Sequence, residues 1–441
     1  MSERMWQFGP ISQFLGVLTE YYDISIIAAT LPILTKVFLP PQMPPLVSAF
    51  YVVAGLAVSY ITRPIGAVIW GHYGDRVGRR VLMVASMAGM AVVTAIIGLL
   101  PTYAQAGFVG LTLLIIIRIF VGIFYGGEKA AGVTYSQEFT PAKWRGLVGG
   151  LGQTGVGFGI ALSAATSGAF IAYFGNDAMI AYAWRYVFLC GLIPFAVVAF
   201  IRLATVESPI WRAAKSSGKL EKRPLASLLK GDTRSRFLQS TFMTIGFLTM
   251  GATTNSYIAP LMINAPSRLS ISQELIAYNA FAVATIVAPL VVGALSQYIG
   301  RRTMLILLAI TGIVTWVPTS YGIVMFGAGL NLTPVILLAF WYGVMYQSPY
   351  AVIDPYLTER FGTSHRASGT GISYALGNMI GGISAVALVP ALHSALTGIE
   401  TTSVWLTVAS IAIIGSIIGL IGVYIGPETV GTRLEDIESK A

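Results

Sequence analysis

The chain has 441 residues, of which 55% are apolar and only 10% charged, with a formal net charge of +9. Apolar runs of about 20 residues recur along its whole length, each enough to span a bilayer, so this is the composition of a polytopic membrane protein. Cys190 is the only cysteine, which excludes an intrachain disulfide, and the positive charge describes membrane topology rather than nucleic-acid binding.

Twelve spans are predicted, near 11–38, 46–70, 80–101, 107–134, 146–172, 183–205, 237–263, 274–298, 303–326, 332–357, 367–393 and 402–425. The first is expected to stay, because Glu20 and Asp23 interrupt what would be the apolar core of a signal peptide. GHYGDRVGRR, from Gly71 to Arg80, lies between the second and third spans. SQYIGRR, from Ser296 to Arg302, repeats its frame about 222 residues later, as expected of two related halves. Of the 27 Lys and Arg residues, 21 fall in segments on one side, three on the other (Lys36, Arg185, Arg268) and three inside spans. The positive-inside rule puts both termini in the cytoplasm of a multi-pass cell-membrane protein. Nine basic residues crowd between Arg202 and Arg236, the natural join of the halves. The expected organisation is a six-helix bundle over 1–205, a cytoplasmic linker over 206–236, a second bundle over 237–426 and a cytoplasmic tail over 427–441.

An ionisable residue inside a span is expensive unless paired or hydrated, which makes each one a functional candidate. They are Glu20 and Asp23 in the first span, Arg63 in the second, Arg118, Glu128 and Lys129 in the fourth, and Asp354 near the cytoplasmic end of the tenth. Rise per residue puts Arg63, Glu128 and Lys129 about 10 Å above the cytoplasmic face, Glu20 about 14 Å, Asp23 about 18 Å and Arg118 about 25 Å. Asp23 is then nearly at the midplane, within reach of Arg118 if their helices adjoin. Such a carboxylate can switch protonation when its guanidinium moves, so Asp23, Glu20 and Arg118 are the proton-coupling candidates. Arg63 and Glu128, at one depth, are candidates for a buried pair locking spans two and four. Tyr125 and Lys129 return to the Arg118 direction on one cationic face of span four. Lys129 can pair with Glu20, snorkel to the cytoplasmic surface, or await an anionic solute.

The second half offers neutral polar groups instead: Asn255, Tyr257, Asn279, Trp341, Tyr346, Gln347, Tyr374 and Asn378. With Tyr22, Arg118, Tyr125, Lys129 and Gln153 they form the candidate solute lining. Glycines such as Gly122, Gly126, Gly155 and Gly159 are spaced for close helix approach. No phosphate-binding loop follows a strand, so direct coupling to ATP is not expected, and no metal-site spacing exists around His72, His365 or His393.

Glu20 to Asp23 reads E-Y-Y-D, followed by Arg63-Pro64 with Gly66, the loop from Gly71 to Arg80, and Arg118 with Gly122 and Gly126-Gly127-Glu128. Glu138, Arg145-Gly146, Trp184-Arg185 and Glu207-Ser208-Pro209 follow, then Gly300-Arg301-Arg302 and Glu359 with Arg366. On these motifs the chain resembles the major facilitator superfamily, and within it the metabolite:proton symporter family. Pro427-Glu428-Thr429 with Gly431 is similar to the closing motif of the related sugar porters. The resemblance implies an all-α membrane protein of two pseudo-symmetric six-helix bundles closing alternately around a central site. It also implies a cytoplasmic charge network of Asp75, Arg76, Arg80, Glu138 and Arg145 that stabilises the outward-open state. Arg63, Glu128, Arg302, Glu359 and Arg366 complete the gating candidates. Gln297 stands where the repeat calls for a second Asp75, which weakens the second latch, and Lys129 departs from the family pattern.

The expected function is proton-coupled symport importing a small polar organic metabolite, a carboxylate or zwitterion. The alternatives are a sugar or polyol porter, a facilitative uniporter and, more distantly, a solute-sensing receptor. The proton is the only coupling ion expected and no other cofactor is. Solute, proton and lipid bilayer are the expected partners of a monomer that binds no nucleic acid. An enzyme is not expected, since no nucleophile with a base is evident.

Overall fold

The computed structural model describes residues 8–43, 45–218, 220–221, 224–263, 269–396 and 404–437, and there is no strand among them. Inside a bilayer no water serves the backbone, so each crossing must close its own hydrogen bonds, which a helix does within one segment. The first half contains α1 (Phe8–Phe38), α2 (Pro45–Val77), α3 (Arg79–Ile97), α4 (Val109–Glu128), α5 (Arg145–Ala178) and α6, which runs through Trp184–Cys190 and Leu192–Leu203. The second contains α7 (Gly231–Ile263), α8 (Ile271–Ile299), α9 (Arg301–Ala328), α10 (Leu332–Thr358), α11 (Arg366–Ile383) and α12 (Val404–Tyr424). Among the described residues nine segments are by themselves long and apolar enough to cross a membrane. One of them, Ala142–Leu203, turns back near Gly175, whose φ of 76° breaks the helix, and so supplies two crossings. With α2 and α7 the crossings are twelve. Arg268, one of the three basic residues expected on the sparsely charged side, lies outside the described residues.

Small residues set the crossings inside each half. α2 and α4 meet at Gly66, Gly122 and Gly126, where a Cβ would strike the partner backbone. The apolar core of the first half runs from Tyr22 to Val198 and that of the second from Met243 to Val423, so each half is a bundle with its own core.

The bundles touch along one half of their depth. α5 lies on α8, with Gly146 against Gly293 and Gly150 against Pro289, and α2 lies on α11, with Gly71 against Ser368. Both described chain ends are here: Arg145 and Arg366 donate to the carbonyls of Thr432 and Leu434, and Gly9 packs on Ser136 and Phe139. On this terminus side the bundles are closed. Toward the far side they part around a cavity of about 620 Å³.

Candidate functional site

One residue of the cavity wall belongs to a buried ion pair. Arg118 on α4 lines the cavity and donates through Nη1 to Asp23 Oδ2 on α1 at 2.7 Å, while the Thr94 hydroxyl of α3 donates to Oδ1 at 2.8 Å. Both charged side chains are buried, and Arg118 Nε has no hydrogen-bond partner among the described residues.

A second buried pair, Glu20 with Arg63 at 3.0 Å, lies one turn nearer the terminus side, with the guanidinium over the rings of Tyr60 and Tyr125 at 4.6 and 4.9 Å. The expected pairing of Arg63 with Glu128 is not formed. Glu128 faces α6 and receives two bonds from Arg202, of 2.5 and 2.6 Å, in the space that Gly16 of α1 leaves open. Arg202 therefore sits in the bundle core, near the end of α6. Gly16 and Glu20 are one turn apart on α1, so the same helix leaves room for one pair and contributes a carboxylate to the other. A buried charge whose partner is removed costs roughly 3–5 kcal/mol, so both pairs hold the first bundle in register.

Among the expected lining residues, Arg118 and Asn255 face the cavity, and Tyr346 and Asn378 face a narrower adjoining pocket that shares the wall formed by Tyr21, Tyr60 and Asn255. Tyr22 does not line the cavity; it is in the bundle core, edge-on to Phe195, and its neighbour Tyr21 takes the place, its hydroxyl 3.3 Å from that of Tyr346. Asn279 is likewise turned outward and Tyr278 lines the cavity in its stead. Trp341 is on the outer surface of α10, and Tyr257 donates to the carbonyl of Ala385. Tyr125 donates to the carbonyl of Glu20 at 2.9 Å. Glu274, at the start of α8, is a lining carboxylate with no ion pair among the described residues.

Lys129 opens a π turn, Lys129–Val133, that continues α4. Its side chain is buried, with the ammonium 4.5 Å from the centroid of the Tyr374 ring. It neither pairs with Glu20 nor snorkels, and it does not line the cavity, so the cationic face of α4 is divided between two depths. Asp354, outside the expected site, accepts from Gln13 and Gln153 at 2.7 Å each, and Gln347 donates to Gln153 Oε1 at 3.1 Å.

Two groups of charge, related by the internal repeat, hold the terminus side shut. Asp75 caps the start of α11, accepting from the N–H groups of Ala367 and Ser368 at 3.0 Å each and from the Ser368 hydroxyl at 2.6 Å. It pairs with Arg79 at 3.1 Å, Arg79 with Glu138 at 3.5 Å, and Glu138 with Arg366 of the other bundle at 2.8 Å. In the repeat, Gln297 accepts from Arg301 at 2.6 Å and from the Gly146 N–H, at the start of α5, at 3.4 Å. Glu359 lies 3.6 Å from both Arg301 and Arg145. Burial pushes the Glu359 carboxyl up from its ordinary range, against the pull of Arg301 and Arg145.

Arg76, Arg80 and Arg302 are not members of these groups. Among the described residues Arg76 reaches only His72, while Arg80 and Arg302 donate to the carbonyls of Leu203 and Tyr424. Arg79 and Arg301 take the inner places, each oriented by a carboxylate on its backbone N–H, Glu207 at 3.0 Å and Glu428 at 2.8 Å.

Two six-helix bundles around a cavity with a buried ion pair at its wall define a multi-pass membrane transporter of the major facilitator superfamily, and not an enzyme. The fold matches the proton:xylose symporter XylE with a TM-score of 0.81 and 20% identity, covering 100% of both chains. Residues 10–441 match the model of the family described as sugar (and other) transporter, and the chain belongs to that family. It is similar to the inner membrane metabolite transport protein YhjE of Escherichia coli, 27% identical over 380 residues that cover 84% of each chain. It is also similar to the ectoine/proline transporter ProP of Corynebacterium glutamicum, 30% identical over 376 residues, 82% of this chain and 73% of the relative.

Proposed function

We propose that the protein is a proton-coupled symporter of the cell membrane, with its terminus side in the cytoplasm, that imports a small zwitterionic or carboxylate metabolite by alternating access. One observation carries this reading: the buried Asp23–Arg118 pair lies against the cavity, which Arg118 lines, and the Arg118 Nε is unpartnered among the described residues. Protonating Asp23 removes the charge that holds Arg118, and the freed guanidinium becomes a fork-shaped donor for a solute carboxylate. When the solute leaves on the other side, Arg118 returns to Asp23 and the proton is expelled. The rings of Tyr21, Tyr60 and Tyr278, with the Glu274 carboxylate, suit the cationic end of a zwitterion. The excess of Lys and Arg on the terminus side supports the orientation. The name of the ectoine/proline transporter supports the solute class and that of the proton:xylose symporter supports the coupling.

Thermal shift and proteoliposome uptake test this together. Proline, ectoine and glycine betaine are expected to raise Tm by mass action where xylose does not. Asp23→Asn is expected to abolish accumulation driven by a pH gradient while leaving solute exchange. A variant that still concentrates solute with ordinary pH response moves the coupling to Glu20. Stabilisation by sugars alone overturns the solute class and favours a sugar porter.

A further inference from the structure

The narrower pocket beside the cavity carries a second guanidinium, which the proton-coupling pair does not use. Its walls come from both bundles: Tyr21 of α1 with Tyr60 and Arg63 of α2 on one side, Asn255 of α7, Tyr346 of α10 and Asn378 of α11 on the other. At about 60 Å³ it has about a tenth of the cavity's volume, room for a carboxylate rather than for the body of a solute. The Arg63 side chain is buried, with Nη1 on Glu20 at 3.0 Å and the rings of Tyr60 and Tyr125 against the guanidinium. Its Nε and Nη2 are buried too, and have no hydrogen-bond partner among the described residues. These two nitrogens share one edge of the guanidinium, where two parallel N–H groups match the two oxygens of a carboxylate. Arg118 keeps no such edge here, since Nη1 is on Asp23 and Nη2 reaches Ser59 Oγ at 3.5 Å, which leaves Nε alone.

We infer that Arg63 is a second carboxylate subsite, one turn nearer the terminus side than Arg118, which receives the solute's carboxylate as that side opens. The inference rests on the carboxylate-bearing solute proposed above. The cavity and the pocket share Tyr21, Tyr60 and Asn255, so a carboxylate passes from one guanidinium to the other along a continuous polar wall. The pocket lies between opposite bundles, and parting them on the terminus side widens it. Glu20 meanwhile holds Nη1 and keeps the Nε–Nη2 edge oriented. Buried charged donors without an acceptor are costly, and a carboxylate on that edge satisfies both at once. The hand-over frees Arg118 to return to Asp23 while the solute is still bound, so the proton leaves before the solute does.

Thermal unfolding of the full chain in nanodiscs, titrated with sodium acetate as a minimal carboxylate, tests the subsite. Asp23→Asn with Arg118→Gln removes the first pair as a unit and leaves Arg63 in place. In that background acetate is expected to raise Tm where sodium chloride at equal ionic strength and neutral acetamide do not. Adding Arg63→Lys keeps the charge beside Glu20 but loses the paired edge, and is expected to weaken acetate binding about tenfold. Adding Glu20→Gln instead leaves the edge intact and removes the resident carboxylate, and is expected to tighten acetate binding about tenfold. No acetate effect once the first pair is gone, unchanged affinity in Arg63→Lys, or affinity no tighter in Glu20→Gln would each overturn the inference. Acetate binding is read without a proton gradient, so it can fail while coupling at Asp23 stands and persist where that coupling fails.

Discussion

The latches at Asp75 and Gln297 occupy equivalent places in the repeat and hold very different numbers of bonds. The carboxylate of Asp75 takes three donors from the start of α11 and an arginine besides, while the amide of Gln297 takes one donor from the start of α5, at 3.4 Å, besides its own arginine, Arg301. The next carboxylates follow suit: Glu138 reaches across to Arg366 at 2.8 Å, Glu359 to Arg145 at 3.6 Å. An anion at a helix N-terminus gains from the helix dipole as well as from its hydrogen bonds, and a neutral amide gains little. Pseudo-symmetry in sequence thus does not give symmetry in energy. The α2–α11 seam is the strong side of the closed state and the α5–α8 seam the weak one.

The largest test of that contrast is Asp75→Asn. It removes the charge while keeping the shape, and is expected to weaken the closed state by about 2 kcal/mol, on the order of a thirtyfold shift toward terminus-open. Cysteine accessibility on the terminus side reads the shift, and unchanged labelling would show that α11 is held by something else. Gln297→Asp works the other way, by giving the weak seam a charge beside Arg301 and the α5 N-terminus. A gain of about 1 kcal/mol for the closed state is expected, seen as uptake slowed roughly fivefold. Faster uptake from this variant would mean that the weak seam does not limit opening. Gln297→Ala is the smallest change, within about 0.5–1.5 kcal/mol for one long hydrogen bond and the bond from Arg301. If it opened the carrier as far as Asp75→Asn, the asymmetry of the latches would be only apparent.

Depth was legible in the sequence and azimuth was not. Counting rise along the helices brings Asp23 and Arg118 to neighbouring depths, and they do meet. The same count puts Arg63 and Glu128 at one level but cannot say which way each points, and they bind Glu20 and Arg202 instead. The doublets show the same limit. Arg79-Arg80 and Arg301-Arg302 each follow a glycine of positive φ, Gly78 at 129° and Gly300 at 102°, and that turn decides which arginine faces inward. Tyr21 against Tyr22 and Tyr278 against Asn279 are single-residue choices of helix phase made by packing. Asp354 was visible as an intramembrane acid, but its partners Gln13 and Gln153 lie more than 200 residues away, at separations of 341 and 201.

The seams between the bundles are lined by backbone. At Gly146 and Gly293, Gly150 and Pro289, Gly71 and Ser368, the closest approaches carry almost no side chain to interlock. Where backbone faces backbone, such surfaces part like the faces of a plain bearing, with few side chains to withdraw, Ile286 against Gly157 among them. Friction along the seam is then small, and the speed of the machine is governed by the chemistry at its rim and at its centre, where the charges are.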